Sequence, residues 1–165
     1  MIYALDVDYN RDENAHVACI GFHKWRDAEP DYEKIDFISK IEPYKSGSFF
    51  KRELPCLLEA LKNVDDIECV IVDGYVWLEE RRHYGLGMYL YDALDKKIPI
   101  IGVAKNRFNN TPKECELLRG ESSKPLYITS VDISLDDAKA YISQMYGSYR
   151  FPYLLKKVDS LCRRS

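Results

Sequence analysis

Ile67-Glu68-Cys69-Val70-Ile71-Val72-Asp73 is a short, mostly apolar run that ends on an acid. A run of this length, rich in β-branched residues, reads as a strand buried on both faces, the pattern of a parallel sheet. Pro99-Ile100-Ile101-Gly102-Val103-Ala104 is a second run of the same kind. Toward the amino terminus the pattern changes. Residues 2–9 and 15–24 read as strands joined by the polar turn Asn10-Arg11-Asp12-Glu13-Asn14, and 33–41 alternate as a third strand, which suggests an antiparallel meander.

Helical spacing fills the gaps. Phe50, Leu54, Leu57, Leu58 and Leu61 recur with helical period over 49–63, and 84–95 is expected to be helical after the charged stretch Glu79-Glu80-Arg81-Arg82, which reads as a solvated face. Residues 115–119 and 125–130 are expected to pair as an outlying hairpin around Gly120-Glu121-Ser122-Ser123. Ser134-Leu135-Asp136-Asp137 is a capping box that starts a helix running to about Tyr146. Gly147 ends it, and Pro152 opens a last helix reaching Leu161. Strands first, then alternating strands and helices, indicate an α/β layered fold in one domain, residues 1–165.

The totals fit that reading. The 165 residues are 46% hydrophobic and 31% charged, ordinary for a soluble globular protein. No apolar run approaches the ~20 residues that cross a bilayer, so no membrane is expected. Met1-Ile2-Tyr3-Ala4-Leu5-Asp6 enters a strand at once and does not read as a signal peptide. Cys19, Cys56, Cys69, Cys115 and Cys162 are odd in number and lack a CxxC spacing, which fits thiols in a reducing cytoplasm. A net charge of −3 argues against a general nucleic-acid coat protein, but a nuclease with an acidic metal site stays open.

Three carboxylates stand out: Asp6 in Ala4-Leu5-Asp6-Val7, Glu53 in Lys51-Arg52-Glu53-Leu54, and Asp73 at the end of its strand. An acid ending a buried strand is costly to desolvate unless it is paired. Three converging acids repel one another and require a cation, and hard oxygen donors suit Mg²⁺ or Mn²⁺. A metal site acting on phosphate esters is the first expectation; ordinary capping or surface acids are the rival one.

Several segments, in order along the chain, resemble endonuclease V, a metal-dependent nuclease family acting on inosine-containing nucleic acid. They are Ala4-Leu5-Asp6-Val7-Asp8-Tyr9, Glu42-Pro43-Tyr44-Lys45-Ser46-Gly47 followed by Arg52-Glu53, Val72-Asp73-Gly74, Ile100-Ile101-Gly102-Val103-Ala104-Lys105, Lys124-Pro125-Leu126-Tyr127-Ile128 with Ile133-Ser134, and Tyr149-Arg150-Phe151-Pro152.

The resemblance implies a ribonuclease H-like mixed sheet, antiparallel strands first and parallel strands after, flanked by helices, in which Asp6 and Asp73 come together. It implies an endonuclease cleaving DNA or RNA near inosine or another altered base, with Mg²⁺ or Mn²⁺ as cofactor and nucleic acid as partner. Asp6, Glu53, Asp73 and Lys105 become the catalytic set, Lys105 holding the scissile phosphate as a point charge. Pro43, Tyr44, Gly47, Arg52 and Gly74 become the substrate-binding set, with Tyr44 as a wedge where a base leaves the duplex.

The departures are Ser46 and Lys51 in the wedge and helix motifs, Val76 where the family has glycine, and Ser130-Val131 where its Gly-His is expected. Asp132, next to that pair, is therefore the expected fourth metal ligand, and His83 is a weaker candidate for the vacant corner. These departures leave open a catalytically impaired paralogue that binds nucleic acid or a protein, and a ribonuclease H-like nuclease with a changed substrate.

Overall fold

The computed structural model describes residues 1–39, 41, 50–79 and 83–163. Its strands are Ile2–Tyr9 (β1), Ala15–Phe22 (β2), Tyr32–Ile38 (β3), Cys69–Asp73 (β4), Trp77–Leu78 (β5), His83–Tyr84 (β6), Ile100–Ala104 (β7), Glu116–Leu117 (β8) and Leu126–Val131 (β9). Its helices are Phe50–Leu61 (α1), Leu86–Ala93 (α2), Leu135–Gln144 (α3) and Tyr153–Arg163 (α4).

Seven strands form one sheet in the order β3-β2-β1-β4-β7-β9-β8. β1, β2 and β3 pair antiparallel, as the polar turn at 10–14 predicts. β4 and β7 lie parallel to β1, as their apolar runs predict. β9 reverses direction against β7. This is the ribonuclease H-like arrangement expected from the sequence.

Alternation along the strands sorts the core into two layers. Ala4, Ile20, Ile71 and Val103 face one side, where Leu154, Leu155, Val158 and Leu161 of α4 and Ala138 and Ile142 of α3 cover them. Leu5, Val17, Val70 and Val72 face the other side and meet Cys56, Leu57 and Ala60 of α1 and Leu86 and Leu90 of α2. Helices on both faces are what strands of this composition require, since neither face is polar.

Three details differ from the sequence reading. The expected hairpin at 115–130 shrinks on one side to the two-residue β8. The stretch after Asp73 contains a small β5–β6 hairpin, with the rings of Trp77 and Tyr84 in edge contact at 5.6 Å. Pro152 stands just before α4, and its carbonyl accepts from the Lys156 amide. The Ser134 cap is present, its hydroxyl accepting from the Asp137 amide at 3.1 Å.

Candidate active site

The parallel register of β1 and β4 pairs Leu5 with Val72, so the next residues, Asp6 and Asp73, come abreast. Their neighbours two residues back, Ala4 and Ile71, both face the α4 side, which sets the direction of the two carboxylates. Asp6 is 8% exposed, whereas Asp73 opens to solvent at the end of its strand. Glu53 arrives from the first turn of α1, packed on the opposite face.

The fourth acid near this point is Asp159 of α4. Oxygens of Asp6 and Asp159 and the Cys162 sulfur lie within 4.8 Å of one another. Asp159 was not singled out from the sequence, although a signal was there. It stands between Leu155 and Cys162 on the apolar stripe that α4 turns to the sheet. An acid inside such a stripe is expensive unless it has a task.

The electrostatics describe a crowded set of like charges. Burial, then the nearby Asp73, then a hydrogen bond shared with Asp159, push the Asp6 carboxyl up to about 8. Burial and the Asp73 charge push Glu53 up to about 7, with Arg52 pulling the other way. Asp73 is raised by burial and by Asp159, against the pull of Lys105. At Asp159 burial is outweighed by hydrogen bonds from Arg163 and Asp6 and by Lys105, and its carboxyl falls below the usual range.

Among the described residues Asp6 accepts from the Val7 amide at 2.9 Å and, when protonated, donates to Asp159. A buried acid set against two other acids in this way is electrostatically incomplete. The donor chemistry fits a hard divalent cation: carboxylate oxygens of Asp6 and Asp159 within 4.8 Å, with Asp73 and Glu53 outside that group but near enough to act on it by charge. Cys162 is a poor partner for such an ion, because burial pushes its thiol up to about 12 and sulfur is soft.

Lys105 follows β7 and reaches this group. Its Nζ lies 3.9 Å from Asp159 Oδ2 and 4.5 Å from the centre of the Phe151 ring. Arg52 stacks on Tyr9 at 3.7 Å, and its Nε is buried without a hydrogen-bond partner among the described residues. Gly74, just past Asp73, has φ +127°, and a Cβ there would meet nothing within 4 Å, so the backbone beside the acids is open to an approaching group.

Asp132 is not brought to this site. β9 runs against β7, so Val131 pairs with Ile100 while Tyr127 pairs with Ala104. Asp132 therefore sits at the other end of the sheet, about 13 Å or more along the strand from the Lys105 end. Its φ is +63° and its carboxylate interacts with the Tyr91 hydroxyl, a turn and a tether in place of a ligand role. His83 points to solvent and pairs with Glu79 at 3.4 Å. Pro43, Tyr44 and Gly47 lie outside the described residues.

A ribonuclease H-like sheet with carboxylates at the carboxyl ends of its adjoining central strands defines the class of protein. The family model for Endonuclease V matches residues 1–123. Endonuclease V from Streptomyces avermitilis is 30% identical over 147 residues, covering 74% of this chain and 62% of that protein. Endonuclease V from Pyrococcus horikoshii is 30% identical over 163 residues, covering 98% of this chain and 72% of the relative. Among solved structures, Ciona intestinalis Endonuclease V in complex with a 24mer DNA containing an inosine followed by a ribo-adenosine aligns with TM-score 0.80 and 17% identity, covering 99% of this chain and 84% of that one. The chain belongs to the endonuclease V family, and it spans about three-fifths of the length of the Streptomyces relative.

Proposed function

We propose that this chain is a Mg²⁺- or Mn²⁺-dependent endonuclease that hydrolyses a phosphodiester near inosine or another altered base in DNA or RNA. The observation that carries the reading is the carboxylate group itself: Asp6, buried, set against Asp73 and Asp159, with Glu53 reaching over from α1. Family membership supports the reaction class, and the inosine-containing complex of the Ciona relative supports the substrate.

Asp6, Asp73, Asp159 and Glu53 are the residues that would hold the metal. When bound, a divalent cation supplies Lewis-acid stabilisation of phosphate charge and lowers the pKa of water. The chain's own groups do the rest. Lys105, within reach of Asp159, presents a positive charge to the scissile phosphate as charge develops on it. Arg52, held flat by Tyr9 and carrying a buried unpartnered Nε, offers a donor to a neighbouring phosphate oxygen. Gly74 leaves the backbone free of a side chain where the strand passes. Pro43, Tyr44 and Gly47 are assigned the wedge role that the family resemblance implies.

The rival reading, a relative without turnover, drew on an unfilled fourth corner. Asp159 weakens that motive, because it supplies the carboxylate that Asp132 was expected to supply. We take the chain as one domain working in a reducing cytoplasm, in keeping with the buried cysteines Cys19, Cys56, Cys69, Cys115 and Cys162. Among the described residues no helix is long and apolar enough to cross a membrane.

Labelled inosine-containing DNA and RNA, incubated with pure protein and Mg²⁺ or Mn²⁺, test the reading. Nicking that depends on the inosine and on the metal is expected. A folded protein that nicks none of these substrates overturns it.

A further inference from the structure

The segment between α3 and α4, residues 145–152, is fixed far more firmly than an exposed connection requires. Arg119, itself buried, donates to the carbonyls of Ser143, Met145, Gly147 and Tyr149. Gly120 has φ +63°, and a Cβ there would collide with the Ser148 carbonyl, so the turn at 118–121 is moulded to this loop. Arg150 donates to the carbonyls of Lys124, Pro125 and Lys105, which ties the loop to the residue that bears the active-site ammonium. Met145 and Pro152 are buried at its two ends.

This rigid frame presents aromatic rings to solvent. Tyr149 is 78% exposed, Tyr146 51% and Tyr153 41%. Tyr146 and Tyr153 meet edge to face at 5.7 Å, so they form one surface. Lys156, exposed, follows Tyr153 by one helical turn. Phe151, two residues past Tyr149, carries the Lys105 ammonium over its ring. The loop that carries the tyrosines thus also carries Phe151 to the candidate active site.

We propose that Tyr146, Tyr149 and Tyr153 form a stacking platform for unpaired nucleotides of the substrate strand as it leaves the catalytic carboxylates. Exposed aromatic faces and a neighbouring cation, here Lys156, are the two components of sequence-tolerant single-strand binding. Bases in a duplex have both faces covered by neighbours and offer nothing to the platform, so the substrate class is nucleic acid with a single-stranded stretch on one side of the scissile bond. Arg119 and Arg150 are positioning residues that hold the rings in place. The inference rests on the nuclease reading above for the direction of the strand.

Binding of a fluorescently labelled thymidine homopolymer, free or annealed to its complement, tests the platform by anisotropy in the presence of Mn²⁺. The oligonucleotide contains no altered base, and gel analysis verifies that it stays intact. Tyr149→Ala is expected to weaken single-strand binding by about 5- to 100-fold and to leave duplex binding unchanged. Tyr149→Trp is expected to restore it. The salt dependence of single-strand binding stays as in wild type for Tyr149→Ala, and falls by roughly 0.7 in log–log slope for Lys156→Ala. Equal losses for single strand and duplex, or wild-type binding by Tyr146→Ala, Tyr149→Ala and Tyr153→Ala alike, overturn the platform. Inosine-dependent nicking with no tyrosine dependence overturns the platform and leaves the nuclease. Absent nicking with the Tyr149 effect intact overturns the nuclease and leaves the platform.

Discussion

Asp6 and Arg119 are both buried and both ionisable, yet their surroundings are opposites. Arg119 directs its donors at backbone carbonyls on one loop and has no carboxylate among its hydrogen-bond partners. Asp6 meets an amide and two other acids, and its carboxyl is driven up to about 8. A satisfied buried charge is scaffold, because its desolvation is offset within the fold. An unsatisfied one raises the energy of the folded chain and is retained where a ligand completes it. The comparison locates the site without reference to any relative.

The largest expected effect breaks the two residues apart. Asp6→Asn should reduce metal-dependent nicking by on the order of 10³-fold or more, since the cation's contribution amounts to several kcal/mol. The same change should raise the melting temperature of the metal-free protein, because an amide is neutral at every pH. Nicking rates and melting curves in chelator measure both. A fall in melting temperature would place Asp6 with Arg119 as scaffold.

Arg119→Met is the mirror experiment. It leaves several loop carbonyls without a donor and should cost about 3 kcal/mol of stability in urea unfolding. Mn²⁺ affinity, measured by calorimetry, should stay at the wild-type value. A matching loss of metal binding would tie the loop to the acids more tightly than the contacts described above do.

The pH dependence sharpens the contrast. An unfolded chain ionises Asp6 near 3.8 and Glu53 near 4.5, whereas the folded chain holds them up to about 8 and about 7. Between those limits the native state binds more protons than the unfolded one, so stability falls as pH rises from about 4 to about 8. The midpoint of urea unfolding in chelator should therefore drop between pH 5 and pH 8. Saturating Mn²⁺ should remove the drop, and Asp6→Asn should flatten it. A midpoint that rises over this range would contradict the assigned crowding.

The smallest effect separates two aspartates. Asp159→Asn should weaken Mn²⁺ binding at least about tenfold, the scale on which even outer-sphere partners of a metal act. Asp132→Asn should leave Mn²⁺ binding alone and shift stability by no more than about 0.5 kcal/mol. The reverse ranking would return Asp132 to the fourth corner.

These two acids also mark how far the residues alone could be read. The β1 and β4 runs are short, apolar and acid-tipped, and period and composition suffice to pair them, so Asp6 beside Asp73 was legible. Asp132 was misjudged because it is adjacent in sequence to a strand whose direction the residues do not announce. Only the reversed pairing of β9 shows that its carboxyl end points away. Asp159 is harder to read, because it stands on a helix whose apolar stripe signals packing and not a strand end. Two-residue strands such as β5, β6 and β8 carry no periodicity at all, and ring contacts like Trp77 with Tyr84 hold them in place of pattern.

The acids come from β1, α1, β4 and α4, the first and last elements of the chain among them. The group is therefore completed only by a helix that lies outside the sheet, however many of the strands are paired. Until residues 153–163 dock on β1, the centre lacks Asp159, and Lys105 lacks the Asp159 contact at 3.9 Å. Undocking of that one helix would take the group apart while the sheet beneath it stays paired.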